Sequence, residues 1–442
     1  MEHQTFHYNT LDALQQEMNT LGVSLPLSTK LERLQKPFTV QGKRFANSMA
    51  IQPMEGCDGT RDGRPDTLTE RRYQRFAKSG VGLIWVEAVA VVQEGRANPR
   101  QLFMHENTLD SFKRLVQMIK ETCIREHGFE PVVIMQATHS GRYSKPNGKP
   151  EPIIAYQNPI FEKDSPISPE RIITDDALMR LEERFGTAAK EAEMAGFDGI
   201  DIKCCHRYLN NELLSAFNRP GAFGGSFENR TRLLRNGIQN AQAATSEAFM
   251  VTSRLNVYDG FPYPYGFGVS PDGGLEPDLT EGIRLAQLLQ EEAGLSLLDI
   301  TIGNPYVNPH VNRPFDGGPY VPQEHPLEGV ARMVRCVGEI QKACPRLAIV
   351  SSGNSYLRQY APMLAAGMLE EGLCAIAGFG REAFAYPDFY QDIVQSGAMD
   401  PAKCCITCGK CSELMRAGTV AGCVIRDKGV YLPIYQMDVL KK

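Results

Sequence analysis

Apolar and polar residues follow two alternating patterns from about Phe45 onward. Short apolar runs rich in β-branched residues recur along the chain, and between them lie longer stretches whose apolar residues have helical spacing. Eight of the short runs have the length and composition of buried strands. They are Ser48–Gln52, Gly82–Val89, Pro131–Gln136, Gly199–Lys203, Phe249–Leu255, Leu297–Ile302, Ala348–Ser352 and Cys374–Ala377.

Eight strands, each followed by a helical stretch, predict an α/β fold of the (β/α)8 TIM-barrel type. An open, doubly wound sheet is the alternative arrangement of the same elements. No G-x-G-x-x-G sequence follows the first strand, so the dinucleotide-binding form of that sheet has little support. We therefore expect a closed parallel barrel.

Shorter segments flank the predicted barrel. A helix is predicted over Thr10–Leu21, because apolar residues lie there at helical spacing, Thr10 can cap its start and Gly22 can end it. The regions that we expect are an N-terminal extension over residues 1–37, the barrel over residues 38–398 and a cysteine-rich segment over residues 399–442.

The strand ends carry most of the candidate chemistry. In a barrel of this type the C-terminal ends of the strands surround the active site, which brings distant parts of the sequence together. Nearly all of these ends carry polar or charged residues or glycine. They are Pro53–Glu55, Glu87–Ala88, Gln136–His139, Lys203–Tyr208, Arg254, Gly303–Asn304, Gly353–Asn354 and Gly380–Arg381.

Charge and composition argue against two classes of partner. The net charge is −5, so a basic footprint for nucleic acid is not expected. No apolar run approaches the ~20 residues that a membrane helix needs. The stretch Met1–Thr10 is polar and lacks the apolar core of a signal peptide, and we therefore expect a cytoplasmic protein.

Five of the twelve cysteines lie within the short stretch Cys404–Cys423. Cys405, Cys408 and Cys411 are separated by two residues each, and Cys423 follows after eleven more. Such a set can hold a cubane 4Fe-4S cluster, with the later cysteine closing the site. Structural zinc is the rival, although the second C-x-x-C pair that zinc sites usually have is missing. Disulfides are not expected in a cytosolic chain.

Five stretches, taken in order, resemble the old yellow enzyme family of NADH:flavin oxidoreductases from about Lys30 to Asp400. They are Asn47–Met54, Gly82–Ala88, Gln136–Arg142, Gly196–Leu209 and Gly224–Arg230. The cysteine segment narrows the resemblance to the iron–sulfur branch that includes 2,4-dienoyl-CoA reductase and the enoate reductases. Relatives in this branch often carry a further C-terminal FAD and NAD(P)H domain, and this sequence ends too soon after Cys423 to include one.

The resemblance implies that the barrel binds FMN. Gln136 would bond the pyrimidine edge of the ring, since an amide offers both a donor and an acceptor. Arg254 would lie beside N1 and the C2 carbonyl, where its charge stabilises the anionic reduced flavin. For Gly353 and Gly380 the alternative is that each serves only the conformation of its loop. The residues implied at the ring are Pro53, Met54 and Ala88, and those implied at the phosphate are Gly353, Asn354, Gly380 and Arg381.

Catalytic residues are implied in the segment Lys203–Tyr208, which matches the family's motif at its fourth and sixth positions, His206 and Tyr208. His206 would polarise a substrate carbonyl so that flavin N5 can deliver hydride to the β-carbon, and Tyr208 would protonate the α-carbon. Where the family has His or Tyr, this chain has Lys203, which could add a point charge to the oxyanion site. Simple packing or solvation is the alternative for Lys203 and Tyr208.

Glu55 departs from the family, which usually has Thr or Cys at this position beside the flavin. A carboxylate there would make the flavin harder to reduce unless it is protonated or turned away. We hypothesise that Lys203 pairs with Glu55.

The reaction favoured by the resemblance is reduction of an activated C=C bond in an enone or enoate, with a steroid-like substrate as one example. Electrons would come directly from NAD(P)H, or through the cluster from a ferredoxin, flavodoxin or separate flavoprotein. The sequence leaves open the substrate, the choice between NADH and NADPH, and whether the chain forms a homo-oligomer.

Two other functions stay open. Amine dehydrogenation, as in trimethylamine dehydrogenase, uses the same fold, but a cage for a methylated ammonium is best made with Trp, and Trp85 lies within the second strand. A non-catalytic zinc or electron-transfer protein is the third hypothesis, and the chemistry at the strand ends argues against it. Two segments are expected to form either walls of an extended pocket or ordinary surface loops. They are the aromatic loop Tyr258–Thr280 and the segment Asn304–Asn312, which includes Tyr306 and His310.

Overall fold

The computed structural model of the protein describes residues 2–441. Its strands form a short antiparallel hairpin and one large parallel sheet. The hairpin consists of β1 (Phe38–Val40) and β2 (Lys43–Phe45). The strands of the large sheet are β3 (Met49–Ile51), β4 (Leu83–Ala90), β5 (Val132–Thr138), β6 (Gly199–Ile202), β7 (Met250–Thr252), β8 (Arg254–Asn256), β9 (Leu297–Thr301), β10 (Ala348–Ser351) and β11 (Ile376–Phe379).

The large sheet forms a nearly closed barrel. Its strand order is β7-β6-β5-β4-β3-β11-β10-β9-β8, with parallel pairing throughout. The end strands β7 and β8 are the two halves of the predicted fifth strand, and only Ser253 separates them. The backbone N–H of Asp299 donates to the carbonyl of Ser253 (3.1 Å), which ties β9 to this gap. The eight predicted strands and the (β/α)8 fold are therefore confirmed, with the fifth strand divided at Ser253.

Helices surround the barrel, and the longer ones are amphipathic. In the helix Leu109–His127, for example, Phe112, Leu115 and Ile119 are buried. The helices of the described residues are α1 (Leu11–Leu21), α2 (Thr67–Ala77), α3 (Leu109–His127), α4 (Pro159–Glu162), α5 (Asp175–Met194), α6 (Leu209–Leu214), α7 (Phe227–Arg230), α8 (Arg232–Ala244), α9 (Thr280–Glu291), α10 (Pro309–Asn312), α11 (Pro326–Ala343), α12 (Ala361–Glu370), α13 (Arg381–Ala385), α14 (Phe389–Ser396), α15 (Lys410–Arg416) and α16 (Lys428–Asp438).

The predicted N-terminal helix is confirmed as α1. Thr10 Oγ1 accepts a hydrogen bond from Ala13 N (3.2 Å), which caps the first turn. Gly22 ends the helix in the left-handed conformation, with φ of 66°. Leu14 and Met18 are buried in the main hydrophobic core.

The β1–β2 hairpin is absent from the sequence prediction, because each of its strands has only three residues. Gln41 and Gly42 both have positive φ (47° and 74°), as the central residues of a type I′ turn do. Phe45 packs with Trp85 and Leu83 in the cluster that fills the barrel interior. The hairpin therefore contributes to the core at the end of the barrel where the strands begin.

The cysteine-rich segment packs against the barrel near α2. Arg71 and Arg75 of α2 both form ion pairs with Asp427 (2.7 and 2.6 Å). The backbone N–H of Ala421 donates to the carbonyl of Gly56 (2.7 Å), in the loop that follows β3. Within residues 2–441, no helix is both long and apolar enough to cross a membrane.

Candidate active site

A cavity opens at the C-terminal ends of the barrel strands. Ligand sites of such barrels lie at this end. The wall is formed by single residues of strands β5, β8 and β9, by the connections that follow β3, β6, β9, β10 and β11, and by one residue of α15. The lining residues are Gln52, Pro53, Met54, Glu55, Gln136, Lys203, His206, Tyr208, Arg254, Thr301, Pro305, Tyr306, Asn312, Arg313, Ser352, Gly353, Ser355, Gly380, Arg381 and Met415.

Most residues implied by the family resemblance lie on this wall, and two do not. The carbonyl of Ala88 accepts a hydrogen bond from Gln101 Nε2 (3.1 Å), away from the cavity. Asn354 Nδ2 donates to Ser351 Oγ and to the carbonyl of Gly378, both at 3.0 Å. Asn354 therefore joins the ends of β10 and β11 through its amide NH2 group, whereas its buried Oδ1 has no hydrogen-bond partner among the described residues.

A fixed positive charge lies at the base of the cavity. Arg254 forms an ion pair with Asp299 (Nε to Oδ2, 3.0 Å) and donates to Gln52 Oε1 (3.3 Å). Burial raises the pKa of Asp299 to about 7, against the opposing effect of the Arg254 charge. Gln136 donates to Asp201 Oδ2 (2.6 Å), which fixes the plane of its amide. Gln136 and Arg254 are thus rigid polar groups on the same wall, as a planar heterocyclic ligand requires.

Four side chains form a compact cluster nearer the mouth. Tyr208 Oη donates to Glu55 Oε1 (3.0 Å) and shares a second hydrogen bond with Tyr306 Oη (2.7 Å). Lys203 Nζ lies 3.5 Å from Glu55 Oε1, so the hypothesised pairing of these residues is confirmed. The same ammonium lies 3.8 Å from the centre of the Tyr208 ring, within the range of a cation–π contact.

Burial sets the protonation of the two central candidates. The pKa of Tyr208 is raised well above 10.0 by burial and by the Glu55 charge, so its hydroxyl keeps its proton at neutral pH. The pKa of His206 is well below 6.5 because of burial and the charges of Arg254 and Lys203, so the imidazole is neutral. Among the described residues, no group hydrogen-bonds to the buried His206 Nε2. This atom is available to a ligand in the cavity.

The backbone at His206 is held in an uncommon conformation. His206 and Arg207 both have positive φ (64° and 59°), which costs energy in residues with a side chain. Arg207 anchors the turn, since its fully buried guanidinium pairs with Asp259 (2.8 Å) and donates to Ser215 Oγ (2.6 Å). Its backbone N–H donates to Asn211 Oδ1 (2.6 Å). The turn presents His206 and Tyr208 to the cavity while Arg207 faces inward.

Two arginines meet at the end of the cavity next to β10 and β11. Arg381 was predicted here, whereas Arg313 was not, because it lies in an irregular loop beyond the predicted wall. Burial and repulsion from Arg381 lower the pKa of Arg313 to about 10. Neither guanidinium has a carboxylate partner among the described residues. Gly353 beside them has φ of 83° and Gly380 begins α13, so the corner fits an anion such as a phosphate.

The aromatic walls are only partly as predicted. Tyr306 lines the cavity, and its ring stacks on Tyr143 with 3.9 Å between ring centres. His310 instead contacts Glu324 (3.1 Å). Of the two alternatives for Tyr258–Thr280, a pocket wall or an ordinary surface loop, the wall is not found at this cavity, since no described residue of the loop lines it. Its buried aromatic rings pack into the protein core, and the ring of Tyr263 is 41% exposed to solvent.

The four predicted cluster ligands line a second, smaller cavity next to the first. Cys405, Cys408, Cys411 and Cys423 share it with Arg381, which lines both cavities. Backbone N–H groups point at two of the sulfurs: those of Thr407 at Cys405 Sγ (3.4 Å) and of Arg426 at Cys423 Sγ (3.3 Å). Cys404 turns away and donates to the carbonyl of Asp400 (3.4 Å). The described residues include no group of three or more His, Cys, Asp or Glu arranged to hold a metal ion.

Comparisons with known proteins agree with this geometry. A sequence profile of the NADH:flavin oxidoreductase / NADH oxidase family matches residues 33–264. An NADPH dehydrogenase of Halalkalibacterium halodurans is 31% identical over 276 residues, 61% of this chain and 73% of the relative. A NADH oxidase of Thermoanaerobacter brockii is 26% identical over 412 residues, 90% of this chain but only 56% of the relative.

Solved structures share the fold. A 2-naphthoyl-CoA reductase in complex with 2-naphthoyl-CoA superposes with a TM-score of 0.70 at 20% identity, covering 89% of this chain and 57% of that one. An old yellow enzyme homologue of Zymomonas mobilis gives a TM-score of 0.62 at 20% identity, covering 83% of this chain and 94% of that one. This chain therefore spans a little over half of the naphthoyl-CoA reductase and nearly all of the shorter homologue.

Proposed function

The chain belongs to the NADH:flavin oxidoreductase / NADH oxidase family and is an oxidoreductase, and we propose that it reduces the activated C=C bond of an enone or enoate. One observation carries the proposal. A neutral, unpartnered His206 and a protonated Tyr208 lie on the wall of the same cavity as the fixed charge of Arg254. These groups are the ones needed to bind a carbonyl, to supply a proton and to stabilise a reduced flavin.

The residues present fit FMN. Gln136 and Arg254 would hold the ring edge, Pro53 and Met54 its face, and Arg313 and Arg381 its phosphate. Bound FMN supplies a hydride donor. Two arginines without a carboxylate partner lie at one end of the cavity, although Arg381 donates to the carbonyl of Pro314 (3.1 Å), and the rigid amide of Gln136 lies at the other. This supports the orientation, because FMN has an anionic phosphate at one end and a heterocyclic ring at the other.

The protein's own residues would complete the reaction. His206 Nε2 would donate to the substrate carbonyl oxygen, which makes the β-carbon electrophilic. Lys203 would strengthen the positive field there. Tyr208 would transfer its hydroxyl proton to the α-carbon, since burial keeps that proton in place at neutral pH.

The cysteine segment of residues 399–442 would bind a 4Fe-4S cluster, and the barrel of residues 38–398 beside it would bind FMN. Met1 and Lys442 lie outside the described residues. Four cysteines around one cavity and N–H groups aimed at two sulfurs support binding of the cluster. A tetrahedral zinc would need its ligands converging on a single ion. Electrons would reach the FMN from NAD(P)H, or through the cluster from a ferredoxin, flavodoxin or flavoprotein.

Isotope labelling tests the reaction. NAD(P)H-dependent turnover of an enone in D2O is expected to place one solvent deuterium at the α-carbon and none at the β-carbon, because the proton and the hydride come from different donors. Tyr208→Phe should slow this turnover about 10²–10⁴-fold, the usual contribution of a general acid. Tyr390→Phe, at a buried tyrosine of α14 outside the cavity, is the control. Lack of turnover with any enone or enoate would refute the proposal.

Amine dehydrogenation is the second candidate, and one observation favours it. The rings of Tyr143, Tyr208 and Tyr306 lie together, and Tyr208 donates to the Glu55 carboxylate, a combination of aromatic faces and an acid that could bind an ammonium ion. However, Lys203 already occupies both the Glu55 carboxylate and the Tyr208 ring face, and its charge repels a second cation. Anaerobic mixing with methylated amines decides: bleaching of the flavin would establish the dehydrogenase.

A further inference from the structure

Glu55 has a place in the hydrogen-bond network that its family position does not explain. We infer that Glu55, together with Tyr306, forms a relay that returns a proton to Tyr208 after each turnover. This inference rests on the proposed function. Tyr208 itself is 2% exposed, so solvent has little direct access to its hydroxyl.

The contacts define the path. Within the described residues, Glu55 Oε1 (3.0 Å) and Tyr306 Oη (2.7 Å) are the side-chain atoms that hydrogen-bond to Tyr208 Oη. The side chain of Glu55 is 13% exposed, more than that of its partner Lys203 at 3%. Glu55 therefore connects the buried hydroxyl to solvent, and Tyr306 holds that hydroxyl from the other side.

The relay accounts for every proton. Tyr208 Oη–H breaks as the new C–H bond forms at the α-carbon, and the two electrons come from the reduced flavin as hydride at the β-carbon. Tyr306 then donates a hydrogen bond to the phenolate, and Lys203, 3.8 Å from the ring centre, stabilises its charge. Glu55 takes a proton from water and passes it to Tyr208 Oη, which restores the starting state.

Both relay residues are held in place. Gly56, directly after Glu55, donates its N–H to Glu87 Oε2 (2.8 Å), and a Cβ at Gly56 would lie 2.1 Å from the Arg72 guanidinium. The backbone N–H of Tyr306 donates to Asn304 Oδ1 (2.8 Å). The relay is thus built from rigid loops on both sides of Tyr208, as proton transfer between fixed groups requires.

The test compares a single reoxidation, followed by stopped flow, with steady-state turnover. Glu55→Gln keeps the shape and a hydrogen-bond acceptor but cannot carry the proton. A single reoxidation of the reduced flavin by an enone should slow less than threefold, because Tyr208 starts with its own proton. Steady-state turnover should slow 10- to 100-fold, because each later cycle needs that proton to be returned. Tyr306→Phe should slow reoxidation about 3- to 10-fold through loss of one hydrogen bond.

A matched control exists on the barrel exterior. There Asp392 accepts from Tyr386 and pairs with Lys403 (2.8 Å), the same combination of acid, tyrosine and lysine. Asp392→Asn should change steady-state turnover less than twofold. Combining Glu55→Gln with Tyr208→Phe should add no further loss to that of Tyr208→Phe alone, since both act on one proton.

Several outcomes overturn the relay. They are additive losses of turnover in the double variant, a Glu55→Gln turnover rate equal to that of Asp392→Asn, and equal slowing of a single reoxidation and of turnover with a shifted flavin potential. The last would mean that Glu55 acts through the flavin. A wild-type enzyme whose reduced flavin no enone reoxidises would refute the proposed function and the relay together, whereas a reactive wild type with an unaffected variant refutes the relay alone.

Discussion

Arg72 is expected to be among the buried positions at which a substitution lowers the stability of the fold most. Its guanidinium, 4% exposed, donates to both Asp58 and Glu87, whose side chains are 0% and 2% exposed. Arg72→Met would leave two carboxylates buried without a counter-charge. Removal of one partner from a buried ion pair costs about 3–5 kcal/mol, and we expect a loss of stability in this range.

The neighbouring residue offers a matched control. Arg71 lies on the same helix and pairs with Asp427, but its side chain is 36% exposed, and exposed pairs contribute only about 0–1 kcal/mol. Urea unfolding followed by the fluorescence of Trp85, the single tryptophan and fully buried within β4, measures both variants. Arg72→Met should be at least about 2 kcal/mol less stable than Arg71→Met. Equal stability would refute the idea that the buried triad supports the Glu55 loop.

Three further predictions test the metal segment, the buried acid and the flavin site. Cys408→Ser should lower bound iron to background while FMN is retained, whereas Cys336→Ser, at a buried cysteine of α11, should retain both; iron analysis decides. Burial raises the pKa of Glu87 from 4.5 to about 7, so between these values the folded protein keeps a proton that the unfolded chain releases, and stability falls as pH rises. Glu87→Gln should flatten that decline in urea titrations, and an unchanged slope would contradict the shift. Arg254→Met should lower the flavin midpoint potential, because a fixed positive charge beside the reduced ring is lost; an unchanged potential would place Arg254 elsewhere.

The barrel could be predicted from the sequence because buried parallel strands are continuous apolar runs. Strand β4 is one such run, and all of its residues are buried. The β1–β2 hairpin could not be found this way, since three-residue strands have too few positions for a pattern and Gln41-Gly42 is a weak turn signal. The division of the fifth strand at Ser253 is a matter of hydrogen-bond geometry, which apolar patterning does not report.

The site was predicted where it follows strands and missed where it lies in long connections. Gln136, Lys203 and Arg254 sit at or just after strand ends, and the structure brings them to one cavity. Arg313 and Met415 reach the same cavity from an irregular loop and from α15, and only tertiary packing places them there. The aromatic loop after β8 has the composition of a cavity wall, but its buried rings pack into the core.

The step on which the proposed function depends is the passage of hydride from reduced flavin in this cavity to an activated C=C bond. The most direct measurement is an anaerobic titration of the dithionite-reduced, FMN-loaded enzyme with an enone, followed by the flavin spectrum. We predict stoichiometric return of the oxidised spectrum, with the saturated ketone as product. A spectrum that stays reduced with every enone and enoate tried would contradict the claim.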